Sequence, residues 1–162
     1  TGRLEDDSAF DLTDLCSTAQ REYYRGETDV ISEFPTEPLW AREAGPSIWI
    51  ECLVYELLNN AIAATTDLPA GAGTIWIDLQ RDPDSNHHAL LSVRNNGRRV
   101  PEAVREAFEA GRRIHDPARP HNGTGLHRLK RLGAPRGVEI TLSETDLQQT
   151  VVQCRIPLSS TD

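Results

Sequence analysis

Apolar and polar positions follow two periods along this chain. "FDLTDLCSTAQREYY" (10–24) sets Phe10, Leu12, Leu15, Ala19 and Tyr23 near helical spacing and predicts a helix. "VISEF" (30–34) predicts a short strand stopped by Pro35, and "PLWAR" (38–42) a second one. Pro46 sits where a helix would start, and 47–66 is long, apolar and free of Gly and Pro, which predicts the main buried helix. After a turn at 68–73, 74–80 alternates as a strand does. A hairpin-type turn, "DPDSNHH", leads to a strand over 89–96. Residues 101–108 predict a helix with Pro101 at its first position and acids in its first turn. Residues 109–125 are charged and broken by Gly and Pro, a loop of functional length. "LHRLKRLG" (126–133) predicts a short basic helix ended by Gly133. Residues 137–144 and 149–158 predict a closing hairpin. Strands consecutive in pairs imply an α+β fold, a two-layer sandwich of a mixed, mostly antiparallel sheet with helices on one face.

The 162 residues favour one core. The chain divides into a helical lead-in (1–28), a main domain (29–158) and a frayed tail (159–162). No apolar run approaches the roughly 20 residues that span a bilayer, and no secretory signal precedes the fold. The absence of methionine implies a processed chain or a fragment. Cys16, Cys52 and Cys154 are odd in number and far apart, as expected of reduced, mostly buried thiols in a cytoplasmic protein. A net charge of −8 argues against general nucleic-acid binding. The balance is uneven, because 98–136 carries ten Lys/Arg against four Asp/Glu. That stretch reads either as a solvated face or as a basic lip over an anionic ligand.

Three groups of residues are out of place for a plain fold. Glu56 and Asn60 lie four apart in "YELLNNAIAAT" (55–65), on one face of the apolar helix, while Asn59 points about 100° away. A buried carboxylate without a partner costs several kcal/mol. Glu56 could cap a neighbouring loop and Asn60 could bond a backbone carbonyl. Next, the strand at 89–96 runs into "NNGRRVP" (95–101), where Gly97 permits close backbone approach. Asn-Gly also suits a simple type I′ turn, but a helix follows here rather than a returning strand. Last, "NGTGL" (122–126) is a glycine-rich turn at a helix N-terminus, where free N–H groups and the helix dipole attract anions.

In this order and spacing, "ELLNNA", "NNGRRVP" and "NGTGL" resemble the N, G1 and G2 boxes of the ATPase superfamily of gyrase, heat-shock chaperones, histidine kinases and mismatch-repair proteins. The resemblance spans nearly the whole chain and looks most like a histidine-kinase ATP-binding domain with a Bergerat-type fold. It implies Mg²⁺ and ATP as cofactors, with Asn60 holding the metal and Glu56 orienting or activating the attacking group. It implies nucleotide contacts from Asn60, Asn95, Gly97, Gly123, Thr124, Gly125 and Leu126. It makes 109–125 a lid, and puts Arg119, His121 or Lys130 near the phosphates. Tyr55 stands where the family often has histidine.

The sequence also departs from the family pattern. In G1 the pattern Asp-x-Gly-x-Gly has become Asn95-Asn96-Gly97-Arg98-Arg99. The family aspartate accepts a hydrogen bond from the adenine amino group. Asn95 offers a neutral acceptor or, flipped, a donor to a base carbonyl. Arg99 must reach the pocket mouth or turn outward. In G2, His127 and Arg128 replace the continuing Gly-Leu. None of His87, His88, His115, His121 and His127 falls where a phosphoacceptor helix is predicted, so the acceptor belongs to another domain or a partner. The resemblance implies phosphoryl transfer to that histidine, with a response-regulator-like protein among the partners. Two alternatives share the boxes, a degenerate docking module in two-component signalling and an anti-sigma-type serine kinase.

Overall fold

The structure is a computed structural model that describes residues 10–23, 29–41, 47–111 and 122–159. Its first element is a two-residue strand, β1 (Phe10–Asp11), followed at once by α1 (Leu12–Tyr23). The predicted helix over 10–24 therefore starts two residues late. Asp11 is the reason: its Oδ1 accepts the Thr13 N–H at 3.0 Å as a helix cap and the Leu39 N–H at 3.1 Å. β1 pairs antiparallel with β3 (Trp40–Ala41), which pins the lead-in beside the rest of the fold.

The main sheet holds β2 (Asp29–Glu33), β4 (Thr74–Arg81), β5 (His88–Asn95), β6 (Glu139–Glu144) and β7 (Thr150–Pro157), in the order β2-β4-β5-β7-β6. β2 runs parallel to β4 and every other pair is antiparallel. The parallel pair needs a crossover, and α2 (Ser47–Thr65) provides it. The sheet is thus mixed and mostly antiparallel, as the strand pattern implied.

Alternation along the strands sends Ile75, Ile77, Leu91, Val93, Val152, Cys154 and Ile156 to one face, where they are buried. α2 covers them with Ile50, Leu53, Val54, Leu57 and Leu58. α1 adds Leu12, Cys16 and Ala19 to the same core. The opposite face carries half-buried Trp76, Asp78 and Arg94, with the Arg94 guanidinium 4.4 Å from the Trp76 ring centroid. α3 (Glu102–Glu109) and α4 (Asn122–Gly133) pack beside β6 on the helical side. Among the described residues, no helix is long and apolar enough to cross a membrane.

α4 begins four residues before the predicted start at 126. Glycine is a poor helix former, so Gly123 and Gly125 read as a turn. The N–H groups of a first turn have no partner inside the helix in any case, so glycine is tolerated there. α2 is less enclosed than its composition implied, because Ile48, Cys52, Tyr55 and Asn59 form an exposed stripe along it. Cys16 and Cys154 are buried and Cys52 is exposed; all three are free thiols.

Candidate functional site

Glu56 and Asn60 sit at the border between the buried and exposed sides of α2, each half-buried. Asn60 Nδ2 donates to the Glu56 carbonyl oxygen at 2.8 Å, one turn back. The backbone-carbonyl role considered for Asn60 is therefore real, and it uses the amide nitrogen. The acceptor atom, Oδ1, is left without a hydrogen bond among the described residues, as is the Glu56 carboxylate. One helix face thus presents an anchored amide oxygen and, a turn away, a carboxylate.

The turn after β5 docks on the end of the same helix. Arg98 N donates to the Ala64 carbonyl at 2.8 Å, and Ala64 lies one turn beyond Asn60. A Cβ on Gly97 would stand 2.1 Å from that carbonyl oxygen. Gly97 is therefore demanded by the close approach of turn and helix, a packing role the sequence could not separate from a ligand role. Asn95 Oδ1 accepts the Gly97 N–H at 2.9 Å, and Asn95 is buried on the helix-facing side of β5. Asn96 is structural, since its Oδ1 accepts the Thr74 N–H at 2.8 Å and its Nδ2 donates to the Ala72 carbonyl.

The arginines of the turn face away from it. Arg99 pairs with Glu144 at 2.8 Å, and Arg105 reaches the other oxygen of that carboxylate at 3.7 Å. Arg98 pairs with Asp67. The residue standing in place of the second glycine is thus tied to the end of β6. Lys130, a phosphate candidate, also has another occupation. Its ammonium donates to the carbonyls of Phe108 and Glu109 and lies 4.6 Å from the Phe108 ring centroid. It closes the C-terminal end of α3, where carbonyls lack helical partners. Arg119 and His121, the other phosphate candidates, lie outside the described residues, as does most of the predicted lid.

The first turn of α4 contains Gly123, Thr124 and Gly125, and α4 packs against α2. Leu126 is half-buried and packs against the core. His127 is half-buried, with Nδ1 buried and unbonded. Among the described residues no three His, Cys, Asp or Glu side chains gather as metal ligands. The oxygens at Asn60 and Glu56 do suit Mg²⁺, which takes one or two protein oxygens and fills its shell with water and phosphate. A separate cleft of about 480 Å³ is lined by Glu109, Lys130, Ala134 and residues 137–141; of the residues singled out above it holds Lys130, and neither Glu56, Asn60 nor the 95–98 turn lines it.

A model of the histidine kinase-, DNA gyrase B- and HSP90-like ATPases, the HATPase_c family, matches residues 45–160. The chain belongs to this family. The match begins just before α2 and includes all three boxes. Solved histidine-kinase structures share the HATPase_c fold with it. The mycobacterial sensor histidine kinase MprB is 20% identical with a TM-score of 0.73, over 94% of this chain and 99% of that one. The catalytic domain of the histidine kinase ThkA, in a nucleotide-free form, is 22% identical with a TM-score of 0.69, over 92% and 93%. ThkA solved in complex with the response regulator TrrA is also similar, at 22% identity and a TM-score of 0.68, over 93% of this chain and 41% of that one. No curated protein matches the chain by sequence.

Proposed function

We propose that this domain binds a magnesium–nucleoside triphosphate and donates its γ-phosphoryl group to a histidine on another domain or chain, as a histidine-kinase catalytic domain. ATP is the nucleotide that the family resemblance implies. The observation that carries the reading is the Asn60 amide. Anchoring Nδ2 on the Glu56 carbonyl leaves Oδ1, the atom of that amide able to ligate a cation, without a partner among the described residues, one helical turn from Glu56 and one from Ala64, on which the 95–98 turn docks.

Asn60 Oδ1 would hold the metal, which when bound neutralises phosphate charge. Glu56 would orient the attacking imidazole or accept its proton, a role that needs a group of fixed position on a rigid element. The free N–H groups of Gly123, Thr124 and Gly125 at the start of α4 would cradle the phosphates. The chain's part in phosphoryl transfer is thus positioning and charge stabilisation. The acceptor histidine would come from another domain or chain; among the described residues His88 is bonded to Ser85 at 2.8 Å in a hairpin and His127 sits within the short helix α4. A response-regulator-like protein suits the partner role, by analogy with the ThkA–TrrA complex.

Calorimetric titration of Mg·ATP and Mg·GTP into the domain, with and without a chelator, tests this reading. The expected result is metal-dependent binding of at least one nucleotide, weakened about tenfold or more in Asn60→Ala by loss of a ligand oxygen. Equal binding by the variant, or no binding at millimolar nucleotide, would contradict it.

A further inference from the structure

β6 is an edge strand of the main sheet, and among the described residues it pairs with β7 alone. Its peptide groups therefore alternate between the ladder and an open edge. Two sets of bonds fix which are which. At the hairpin, Thr145 N–H donates to the Gln149 carbonyl at 2.9 Å, so the odd positions of β6 turn toward β7. Across the sheet, Asp82 N–H donates to the His88 carbonyl at 2.9 Å and Leu158 N–H to the His87 carbonyl at 2.7 Å. Carried through the registers of β4, β5 and β7, these bonds give the same phase. Ile140 and Leu142 thus direct their N–H and C=O groups outward, and no other described residue bonds them. Val138, next in that series, gives its N–H to the Gly133 carbonyl at 3.0 Å. Edge strands are commonly blunted by Pro, Lys or a bulge. Glu139–Glu144 contains neither residue and pairs with β7 one for one, without a bulge. The cleft of about 480 Å³ lies at this same strand, lined by residues 137–141 with Glu109, Lys130 and Ala134.

We infer that the β6 edge takes an extended segment of a partner protein as one more antiparallel strand, with apolar residues on its helical side and a Lys or Arg opposite Glu139. Alternating free N–H and C=O groups are matched by the main chain of another extended segment. In an antiparallel pair, residues that bond each other share a face. Partner residues bonded to Ile140 and Leu142 therefore point to the apolar helical side, where the cleft lies. The residues between them stand opposite Glu139 and Thr141 on the open face. Glu139 is exposed there, and its cross-strand neighbour Arg155 pairs with Asp82 instead. Glu109 adds a second exposed carboxylate at the cleft, whereas the Lys130 ammonium already serves the carbonyls of Phe108 and Glu109. A basic segment thus complements this edge. A second copy of the chain suits it less, since it would bring the same acids and a net charge of −8. The inference stands independently of the nucleotide reading above.

The test adds a capped hexapeptide of alternating valine and lysine to the full chain and follows amide exchange. Bound peptide should slow exchange at Ile140 and Leu142 about tenfold or more and leave Thr141 and Ser143, already bonded to β7, unchanged. With valines on the helical side, only their N–H groups face β6. N-methylation of the valines should therefore abolish binding, and N-methylation of the lysines should not. A valine–glutamate peptide should bind about fivefold or more weakly, and Glu139→Lys should reverse that preference. Absence of binding at millimolar peptide, slowing without the Ile140–Leu142 pattern, or binding that survives N-methylated valines would overturn the inference. Protection of Ile140 and Leu142 that rises with protein concentration alone would overturn it too, and would give the edge to a second copy. A lysine preference kept in Glu139→Lys would overturn the basic partner. If Glu139→Lys does not fold, shown by its melting curve, the wild-type exchange pattern and the two methylated peptides decide.

Discussion

Gly97 is the residue with the least freedom. Its missing side chain lets the turn after β5 close on the Ala64 carbonyl, and a methyl group there would lie at 2.1 Å. Gly97→Ala must push the turn off α2, and we expect a loss of roughly 2–4 kcal/mol of stability in chemical denaturation. The thiols make a second prediction. Burial, with Asp11 adding to it, pushes the Cys16 thiol up to about 12, and burial raises Cys154 as well. Cys52 is exposed on α2. A thiol reagent should label one cysteine per native chain, at Cys52, and all three after denaturation. Asp78 makes a third. Burial, with Glu33 beside it, raises its carboxyl above the ordinary range, and Arg94 only partly opposes this. A carboxylate raised in the folded state holds its proton more tightly there, so its ionisation costs stability as pH rises through the carboxylate range. Asp78→Asn should therefore raise the melting temperature near neutral pH and confer no gain in acid, where Asp78 is already protonated. Melting curves across pH check both the sign and the window.

The boundaries of the elements show what a linear pattern can and cannot carry. Period was enough for α2, β4, β5 and the closing hairpin, since each buries a regular face, and β5 and β7 also end at a punctuating Asn95 and Pro157. The start of α1 was missed because Asp11 caps it through bonds that include Leu39, 28 residues away. Gly97 was singled out, but its contact with α2 is tertiary and has no signature in the sequence. Lys130 was read for its charge, while its partners are the last carbonyls of α3, 21 and 22 residues away. Glu144 likewise draws Arg99 away from the turn that it occupies. The α3–α4 clasp makes its own prediction. Lys130→Ala should cost about 1 kcal/mol through lost bonds to helix-end carbonyls. Amide exchange should quicken in α3 and leave the centre of α2 unchanged.

For the whole molecule, the arrangement places one helix at the centre of everything. α2 supplies the parallel crossover, the apolar face that covers the sheet, the Glu56–Asn60 face and the seat for the 95–98 turn. Stability and site geometry are therefore coupled through a single element, and the polar pair borders the face by which that element is packed into the core. The family follows from the match over 45–160, and the nucleotide role is our reading of the Asn60 face. The most direct measurement is a backbone amide shift titration of the folded domain with magnesium nucleotide. The account predicts that the amides of Asn60, Asn95, Gly97, Gly123 and Gly125 move together, with the same saturation, while the β4–β5 hairpin at 82–87 stays still. No movement at millimolar nucleotide, or shifts gathered at the cleft beside Lys130 and β6 instead, would contradict it.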